Sequence, residues 1–224
     1  VITMGISLGI IIYFIFAQQI ASNGNFDNLY INFYTLIPAF DVNMSFNIDR
    51  ISILLLILSH LTIITAFFST LNFKLISDTY EQNLIRHKQI NILISLISIG
   101  INGLIISNNL FVFFLFYEIA AIPIFLMIST FGYNLKREVS GPFTAILKFF
   151  NVGSKEYGSY KITIYLFVAS ILIFFGLAIL GISSGSFEIS NITTGNNSVF
   201  VFWLLLIGFG THSALWPLHT WAPD

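Results

Sequence analysis

Glu118 and His212 are ionisable side chains within apolar stretches of this chain. Ionisable side chains are costly in such surroundings, so those that are present usually have a function. Glu118 lies roughly 12 Å along a helical segment of about 30 Å, near the centre of a bilayer. A carboxylate at that depth costs about 2.5–3.5 kcal/mol on insertion scales, so it is expected to be paired, hydrated or protonated. The position suits proton uptake and release. A protonated Glu118 that only hydrogen-bonds a neighbouring helix is the alternative.

His212 belongs to the stretch Gly208–Asp224, which carries two histidines, two prolines and two tryptophans. Pro217 is expected to break this helix, and a break at membrane depth is tolerated only beside other protein or a wet cavity. A broken helix with an ionisable residue is a candidate ion or proton site. Imidazole suits proton transfer near neutral pH. A packed neutral histidine stays open for His212, and it is the favoured interpretation for His219.

Other polar side chains near apolar segments have structural explanations from position alone. Lys161 opens a segment, where a lysine usually extends to the headgroups. His60 lies about midway through another segment, which favours an interhelical hydrogen bond over a relay role. Asp49 and Arg50 at a segment start are typical of a helix cap and a local charge pair.

The composition excludes a soluble globular fold. The 224 residues are 56% hydrophobic and 8% charged, whereas a soluble domain is about 25% charged. The apolar runs are continuous and about 20 residues long, as membrane helices require. We therefore predict an all-α, polytopic membrane helix bundle in a single transmembrane domain. Its six helices are predicted near residues 1–18, 49–71, 89–107, 110–131, 161–182 and 199–221, the last of them broken.

Net charge and residue types exclude several kinds of site. A net charge of −1 lacks the excess of basic residues that binding to nucleic acid requires. The chain has no cysteine, which removes thiolate ligands and disulfides. The sequence also has no metal-ligand spacing and no nucleotide-binding glycine loop.

The loops between the predicted helices indicate an orientation. Basic residues concentrate in loops 72–88 and 132–160. If the chain crosses the membrane six times, these two loops lie on the same face of the membrane. The positive-inside rule directs that face towards the cytoplasm or the mitochondrial matrix. On the other face, residues 21–47 are rich in aromatic side chains, which suggests interfacial structure. Residues 183–197 hold Glu188 and a weak glycosylation pattern at Asn191.

Short motifs run through the whole chain in a recognisable order. They are Val1–Gln18, Ile37-Pro38 through Asn47-Ile-Asp-Arg-Ile-Ser52, Phe116-Tyr117-Glu118 with Ile122-Pro123, Tyr160-Lys161-Ile-Thr-Ile-Tyr165, and Trp-Pro-Leu-His-Thr-Trp-Ala-Pro-Asp at 216–224. With these motifs the chain resembles subunit 4 of NADH:ubiquinone oxidoreductase, respiratory complex I. The last motif distinguishes subunit 4 from the related subunits 2 and 5.

The resemblance implies a fold and a set of site residues. The family has fourteen helices in two inverted five-helix repeats, each with a broken helix and a half-channel. This chain would supply the N-terminal half, about helices two to seven, as a split-gene product or an incompletely represented chain. Glu118 matches the family's buried glutamate and Lys161 its lysine, which favours a proton-transfer role for Lys161. His212 stands where the family has a broken-helix lysine, so either the pathway uses imidazole or pumping is weakened.

The implied function is a membrane-arm subunit of complex I, with a proton half-channel that couples NADH oxidation by ubiquinone to proton translocation. No redox chemistry is expected in this chain, and NADH, FMN, iron–sulfur clusters and ubiquinone would be bound by other subunits. Expected partners are other membrane-arm subunits, including a chain with the missing second half, and lipids such as cardiolipin. The expected location is the mitochondrial inner membrane, with a bacterial plasma membrane as second choice. A related cation/proton antiporter and a structural half-subunit that does not pump are the alternatives.

Overall fold

The computed structural model describes residues 29–38, 42–71, 80–132, 154–193 and 198–222. The elements in this part of the chain are strands β1 (Leu29–Ile37) and β2 (Val42–Ile48) and helices α1 (Arg50–Leu71), α2 (Tyr80–Ile106), α3 (Leu110–Phe131), α4 (Lys155–Ser184) and α5 (Ser198–His212). Short 3₁₀ turns cover Ile189–Asn191 and Leu218–Trp221. The helical membrane class is confirmed, with the addition of a strand pair. The helix predicted near 1–18 lies outside the described residues.

Two compact units make up the chain. The first contains residues 1–120 and 186–192, and the second contains 121–185 and 193–224. Among the described residues, helices α1 to α4 contain stretches long and apolar enough to cross a membrane, whereas α5 is a shorter apolar helix. The crossing predicted over 199–221 is divided into α5 and a separate 3₁₀ turn, as expected for a broken helix.

Helix α2 begins earlier than predicted, at Tyr80 rather than near residue 89. Its first turns are polar and carry the exposed side chains of Arg86 and Lys88. Glu, Gln, Leu, Arg and Lys are good helix formers, so the helix continues outside the apolar run. Hydrophobicity indicates where a helix enters the membrane, but it does not predict the polar helical turns outside the membrane.

Helix α4 also begins earlier than predicted, at Lys155 rather than near Lys161. Its start is set by Ser154, whose hydroxyl oxygen accepts the Tyr157 N–H at 3.1 Å. Glu156 lies in the first turn, where a negative charge is favourable. Lys161 therefore lies between one and two turns inside α4 rather than at its first residue.

Strands β1 and β2 form an antiparallel pair in the segment expected to have interfacial structure. Both are rich in aromatic and β-branched residues, which favour extended backbone, and Leu29 lies opposite Ile48. The Phe46 ring of β2 lies 6.1 Å from the Phe116 ring of α3. The strand pair thus contacts the helix that carries Glu118.

Helices α1 and α2 of the first unit pack through an apolar stripe that includes polar contacts. The buried apolar side chains recur at three- and four-residue spacing on α1, and they are Ile53, Leu56, Ile63 and Phe67, with Ile90 and Ile94 on α2. Ser59 Oγ donates to Asn102 Oδ1 at 2.8 Å, and Thr70 Oγ1 donates to Asn91 Oδ1 at 3.1 Å. Such bonds hold membrane helices together because lipid tails are as apolar as the helix faces.

Glycines of α2 approach α3 on both sides of Glu118. A Cβ on Gly100 would lie 2.6 Å from the Ala120 backbone nitrogen, and a Cβ on Gly103 would overlap the Phe116 ring. Phe116 and Ala120 flank Glu118 in sequence. These contacts therefore set the rotation and height of α3 at Glu118.

Gly100→Ala is expected to destabilise the protein by about 1–3 kcal/mol, because a side-chain atom added to a packed contact forces the backbone to move. In an open helical position the same change would stabilise by up to about 1 kcal/mol, so the sign is diagnostic. Ile99→Ala, at an exposed neighbouring position, is the matched control. The measurement is the fraction that stays folded in detergent over a temperature series. A Gly100→Ala protein as stable as wild type would contradict the close contact.

Helices α4 and α5 form the core of the second unit. The buried stripe of α4 has three- and four-residue spacing and consists of Ile162, Leu166, Ala169, Ile173 and Leu177. A Cβ on Gly208 of α5 would lie 2.6 Å from Ile173 Cγ1 and 3.1 Å from the Ala169 carbonyl oxygen. Small residues permit such close approach in membrane helices. The contact lies about one turn before His212, so it holds the end of α5 against α4.

Candidate functional site

Glu118 lies in the interior of α3 and is partly buried. Its Oε1 atom is buried and has no hydrogen-bond partner among the described residues. A buried carboxylate oxygen without a partner is costly, and a proton, a water molecule or a donor from another chain relieves that cost. The arrangement therefore leaves Glu118 able to accept a proton.

Pro123 adds a second polar feature to the same part of α3. Proline has no N–H, so it removes the donor that would pair with the Ile119 carbonyl one turn earlier. Ile119 is the residue next to Glu118. A carbonyl without its helical partner is an acceptor for water or for a proton-carrying group.

His212 is the last residue of α5, and the helix ends there in a left-handed cap. Ala214 has φ of 55°. Its N–H donates to the Thr211 carbonyl at 3.2 Å, and the Leu215 N–H donates to the Gly210 carbonyl at 2.7 Å. These are the two hydrogen bonds of a Schellman motif. A left-handed alanine costs about 1–2 kcal/mol, so surrounding contacts must stabilise this helix end.

The break in the helix therefore follows His212 directly, which corrects the prediction that Pro217 would cause it. Pro217 instead precedes the 3₁₀ turn, after a cis Trp216–Pro217 peptide bond. The left-handed position of such a cap is usually filled by Gly or Asn. Because Ala214 fills it here, the sequence carries no signal for this helix end.

Lys161 and Tyr165, one turn apart on α4, both bind Thr220 of the 3₁₀ turn. Lys161 Nζ donates a hydrogen bond to the Thr220 carbonyl oxygen, and the Tyr165 hydroxyl lies 2.7 Å from Thr220 Oγ1. Lys161 Nζ also lies 5.9 Å from the centroid of the Tyr157 ring, within cation–π range. Lys161 therefore has partners within the protein, while its contact to the headgroups stays a prediction.

The 3₁₀ turn is bonded in addition to the end of α5. Trp221 Nε1 donates to the Thr211 carbonyl at 2.8 Å. The Thr211 carbonyl, which also accepts the Ala214 N–H of the helix cap, therefore has two donors. The second unit thus connects Lys161, through Thr220 and Trp221, to the turn that contains His212. Glu118 belongs to the first unit.

The remaining polar residues have structural roles. His60 Nδ1 lies 2.8 Å from the Leu56 carbonyl of its own helix, so the expected interhelical bond is made by its neighbour Ser59 instead. The predicted cap at Asp49 is confirmed, because its Oδ1 accepts the Ser52 N–H at 2.6 Å. Hydrogen bonds from Ser52 hold the pKa of the Asp49 carboxyl below its ordinary value. His219 is exposed.

Sequence reasoning missed Glu188, which it assigned to an ordinary loop. Glu188 is buried, and its two carboxylate oxygens lie 2.8 and 2.7 Å from Ser45 Oγ. Oε2 also accepts from Asn108 Nδ2 at 2.8 Å. A loop carboxylate normally faces water. The signal that could have indicated its partner was the polar pair Asn108-Asn109 between two apolar helices.

Comparison with known proteins relates the chain to a family. A family model described as "NADH:quinone oxidoreductase/Mrp antiporter, TM" matches residues 141–224, which include Lys161 and His212. "NAD(P)H-quinone oxidoreductase chain 4 1" of Synechococcus sp. (strain JA-2-3B'a(2-13)) is 26% identical over 198 residues, 85% of this chain and 32% of the relative. "NADH-quinone oxidoreductase subunit M" of Rickettsia bellii (strain RML369-C) is 29% identical over 130 residues, 54% of this chain and 22% of the relative. The chain therefore spans at most 32% of the length of either relative.

A solved structure resembles the fold as well. It is the Mrp complex from Dietzia sp. DQ12-45-1b, with a TM-score of 0.64 and 18% sequence identity. The match covers 98% of this chain and 36% of the other. At this identity the likeness concerns the fold alone.

Proposed function

We propose that this chain, an antiporter-like subunit of the complex I type, contributes a proton half-channel to the membrane arm of an NADH:quinone oxidoreductase. The comparisons confirm the resemblance to subunit 4 that its motifs indicated. The observation that carries the proposal is the connection of Lys161 to the segment that follows His212. That connection joins an ionisable side chain to a helix break, which is the arrangement expected of an intramembrane proton site.

Glu118 is the group that takes up and releases the proton in this proposal. Its buried Oε1 atom has no hydrogen-bond partner among the described residues, so it is available as a proton acceptor in this proposal. The close contacts of Gly100 and Gly103 with Ala120 and Phe116 fix the helix on either side of Glu118. In this proposal the redox reaction occurs elsewhere in the complex and acts on Glu118 by changing the charges around it.

Lys161 and His212 pass the charge on. Lys161 is held by the Thr220 backbone carbonyl and lies over the Tyr157 ring. His212 is the last residue of α5, and its imidazole is a side chain that can take up and release a proton near neutral pH. Charges in a low-dielectric site interact strongly, so protonation of one such group alters the proton affinity of the next.

The redox parts of the reaction belong to other subunits in this proposal. NADH, FMN, iron–sulfur clusters and ubiquinone bind there, and this chain has no cysteine to ligate a cluster. Its partners are membrane-arm subunits, including a chain that carries the rest of the fold, together with lipids such as cardiolipin. Its location is the mitochondrial inner membrane, with the bacterial plasma membrane as second choice.

A cation/proton antiporter is the second candidate function. The description of the matching family model names the Mrp antiporter beside NADH:quinone oxidoreductase, which supports this candidate. Sodium transport would require oxygen ligands, for which Glu118 and the neighbouring Ile119 carbonyl are available. A structural subunit that does not pump is the third candidate, supported by His212 at the position where the family has lysine.

Purification of the native membrane complex through a tag on this chain tests the proposal. We expect flavin and iron–sulfur subunits to co-purify, and we expect NADH oxidation to drive proton uptake into vesicles that contain the complex. Sodium-driven proton movement in a complex without those subunits would establish the antiporter instead. An NADH-oxidising complex whose proton movement is unaffected by changes at Glu118 and His212 would establish the structural subunit.

A further inference from the structure

Glu188 is a buried carboxylate in the first unit that the proposed proton site does not use. It is 7% exposed, and its partners Ser45 and Asn108 are 0% and 5% exposed. Ser45 Oγ is within hydrogen-bond distance of both carboxylate oxygens, and Asn108 Nδ2 donates to Oε2 at 2.8 Å. A buried charge is retained only where it is satisfied by such contacts. We call Ser45, Asn108, Asn109 and Glu188 the Glu188 cluster.

The backbone around Glu188 is bonded to the same neighbours. The Leu110 N–H donates to the Phe187 carbonyl at 2.8 Å, and the Ile189 N–H donates to the Asn108 carbonyl at 2.7 Å. The Asn108 N–H donates to the Ser45 carbonyl at 2.9 Å. Strand β2, the turn between α2 and α3, and residues 187–189 are therefore joined at one point, although they are far apart in sequence.

The donors of the Glu188 cluster suit two acceptor oxygens. Both oxygens of Glu188 act as acceptors, and the groups that face them are a hydroxyl and side-chain amides. A glutamine would supply one acceptor and one donor group, so its NH₂ would meet a donor on one side. The exchange of Glu188 for glutamine therefore perturbs the cluster while keeping its volume.

The Glu188 cluster also forms the start of α3. Asn109 Oδ1 accepts the N–H groups of Phe111 at 3.0 Å and Val112 at 3.5 Å, while its Nδ2 faces Glu188 Oε1 at 3.5 Å. Leu110, the first residue of α3, is the residue whose N–H is bound by Phe187. Glu118 lies about 12 Å further along the same helix, since the rise is 1.5 Å per residue.

We propose that Glu188 is a positioning residue for Glu118, acting through the capped first turn of α3. The carboxylate anchors the turn before α3 to strand β2, and the glycine contacts of α2 hold the helix further along. Glu118 is then held from two directions. The inference rests on the proposed function, because its functional consequence is a change in proton transfer at Glu118.

The test compares Glu188→Gln with Glu156→Gln, which removes the same charge from an exposed position on α4. We expect Glu188→Gln to lower the protons moved per NADH oxidised by about threefold or more in assembled complex, since displacement of a reacting group by about 1 Å can cost two orders of magnitude in rate. We also expect faster amide exchange at Phe113, whose N–H is bound by the Asn109 carbonyl at 2.8 Å. Glu156→Gln should match wild type in both measurements.

Combination with Glu118→Gln separates positioning from general stability. If Glu188 acts through Glu118, the double variant should move as many protons per NADH oxidised as Glu118→Gln alone. A general loss of stability would lower that number further in the double variant. Should Glu188→Gln fail to assemble, Asn109→Ser provides the test, because serine keeps the helix cap but loses the amide that faces Glu188. An unchanged ratio and unchanged Phe113 exchange in the assembled variant would overturn the positioning role and leave the proposed function intact. A wild-type complex that moves no protons would overturn the proposed function itself, and the exchange measurement would still test the anchoring of α3.

Discussion

Glu118→Gln is expected to lower NADH-driven proton translocation by roughly tenfold or more, the usual scale of effect when a general acid–base group is removed. Glutamine has nearly the same size and removes only the exchangeable proton and the charge. The buried Oε1 atom has no hydrogen-bond partner among the described residues, so its replacement breaks no bond there. The fold should therefore persist while proton transfer is lost.

The measurement is the number of protons moved per NADH oxidised by vesicles that contain the complete complex. Glu156→Gln, an exposed carboxylate of α4, serves as the control for loss of a charge. The heat resistance of Glu118→Gln should be no lower than that of Glu156→Gln, which excludes unfolding as the cause. An unchanged ratio in Glu118→Gln would remove Glu118 from the pathway.

His212→Gln is expected to reduce proton translocation on the same scale, because the amide keeps much of the side chain's polarity but cannot carry a proton. His212→Lys introduces the residue type that the resemblance to subunit 4 predicts at this position. It should keep translocation within about twofold of wild type if imidazole performs the role of that lysine. A rise above wild type would instead show that pumping is weakened by histidine.

His219→Gln is the matched control for His212→Gln, since His219 is an exposed histidine in the following 3₁₀ turn. It should leave both proton translocation and NADH oxidation unchanged. Normal pumping by the His212→Gln complex would support the structural subunit and contradict a proton-carrying His212. The pair therefore distinguishes a specific site from a general sensitivity of this segment.

Much of the helical framework could be predicted from sequence because hydrocarbon imposes simple requirements. A continuous apolar run of membrane-spanning length has to be helical, since all backbone groups must be satisfied within the segment. The bounds of α3, Leu110–Phe131, accordingly agree with the predicted 110–131. Helix starts such as Tyr80 and Lys155 were less predictable, because polar turns outside the apolar run obey no such requirement.

The parts of the site that escaped prediction depend on contacts between distant residues. Nothing local indicates that the Ala214 backbone adopts φ of 55°, because the Schellman bonds and the packing of α5 impose it. The partner of Lys161 is a carbonyl 59 positions away in the chain. The burial of Glu188 depends on a hydroxyl 143 positions away. Sequence periodicity cannot report such pairs, since it reflects only which face of an element is apolar.

The sequence by itself determined the membrane class and the position of Glu118 within an apolar helix. These follow from composition and residue type, which the cost of transfer into lipid makes decisive. Only the tertiary structure decided that the helix ends directly after His212, that Lys161 binds the segment beyond it, and that Glu188 is buried beside the start of α3. These depend on hydrogen bonds that must be satisfied wherever the fold brings their partners together.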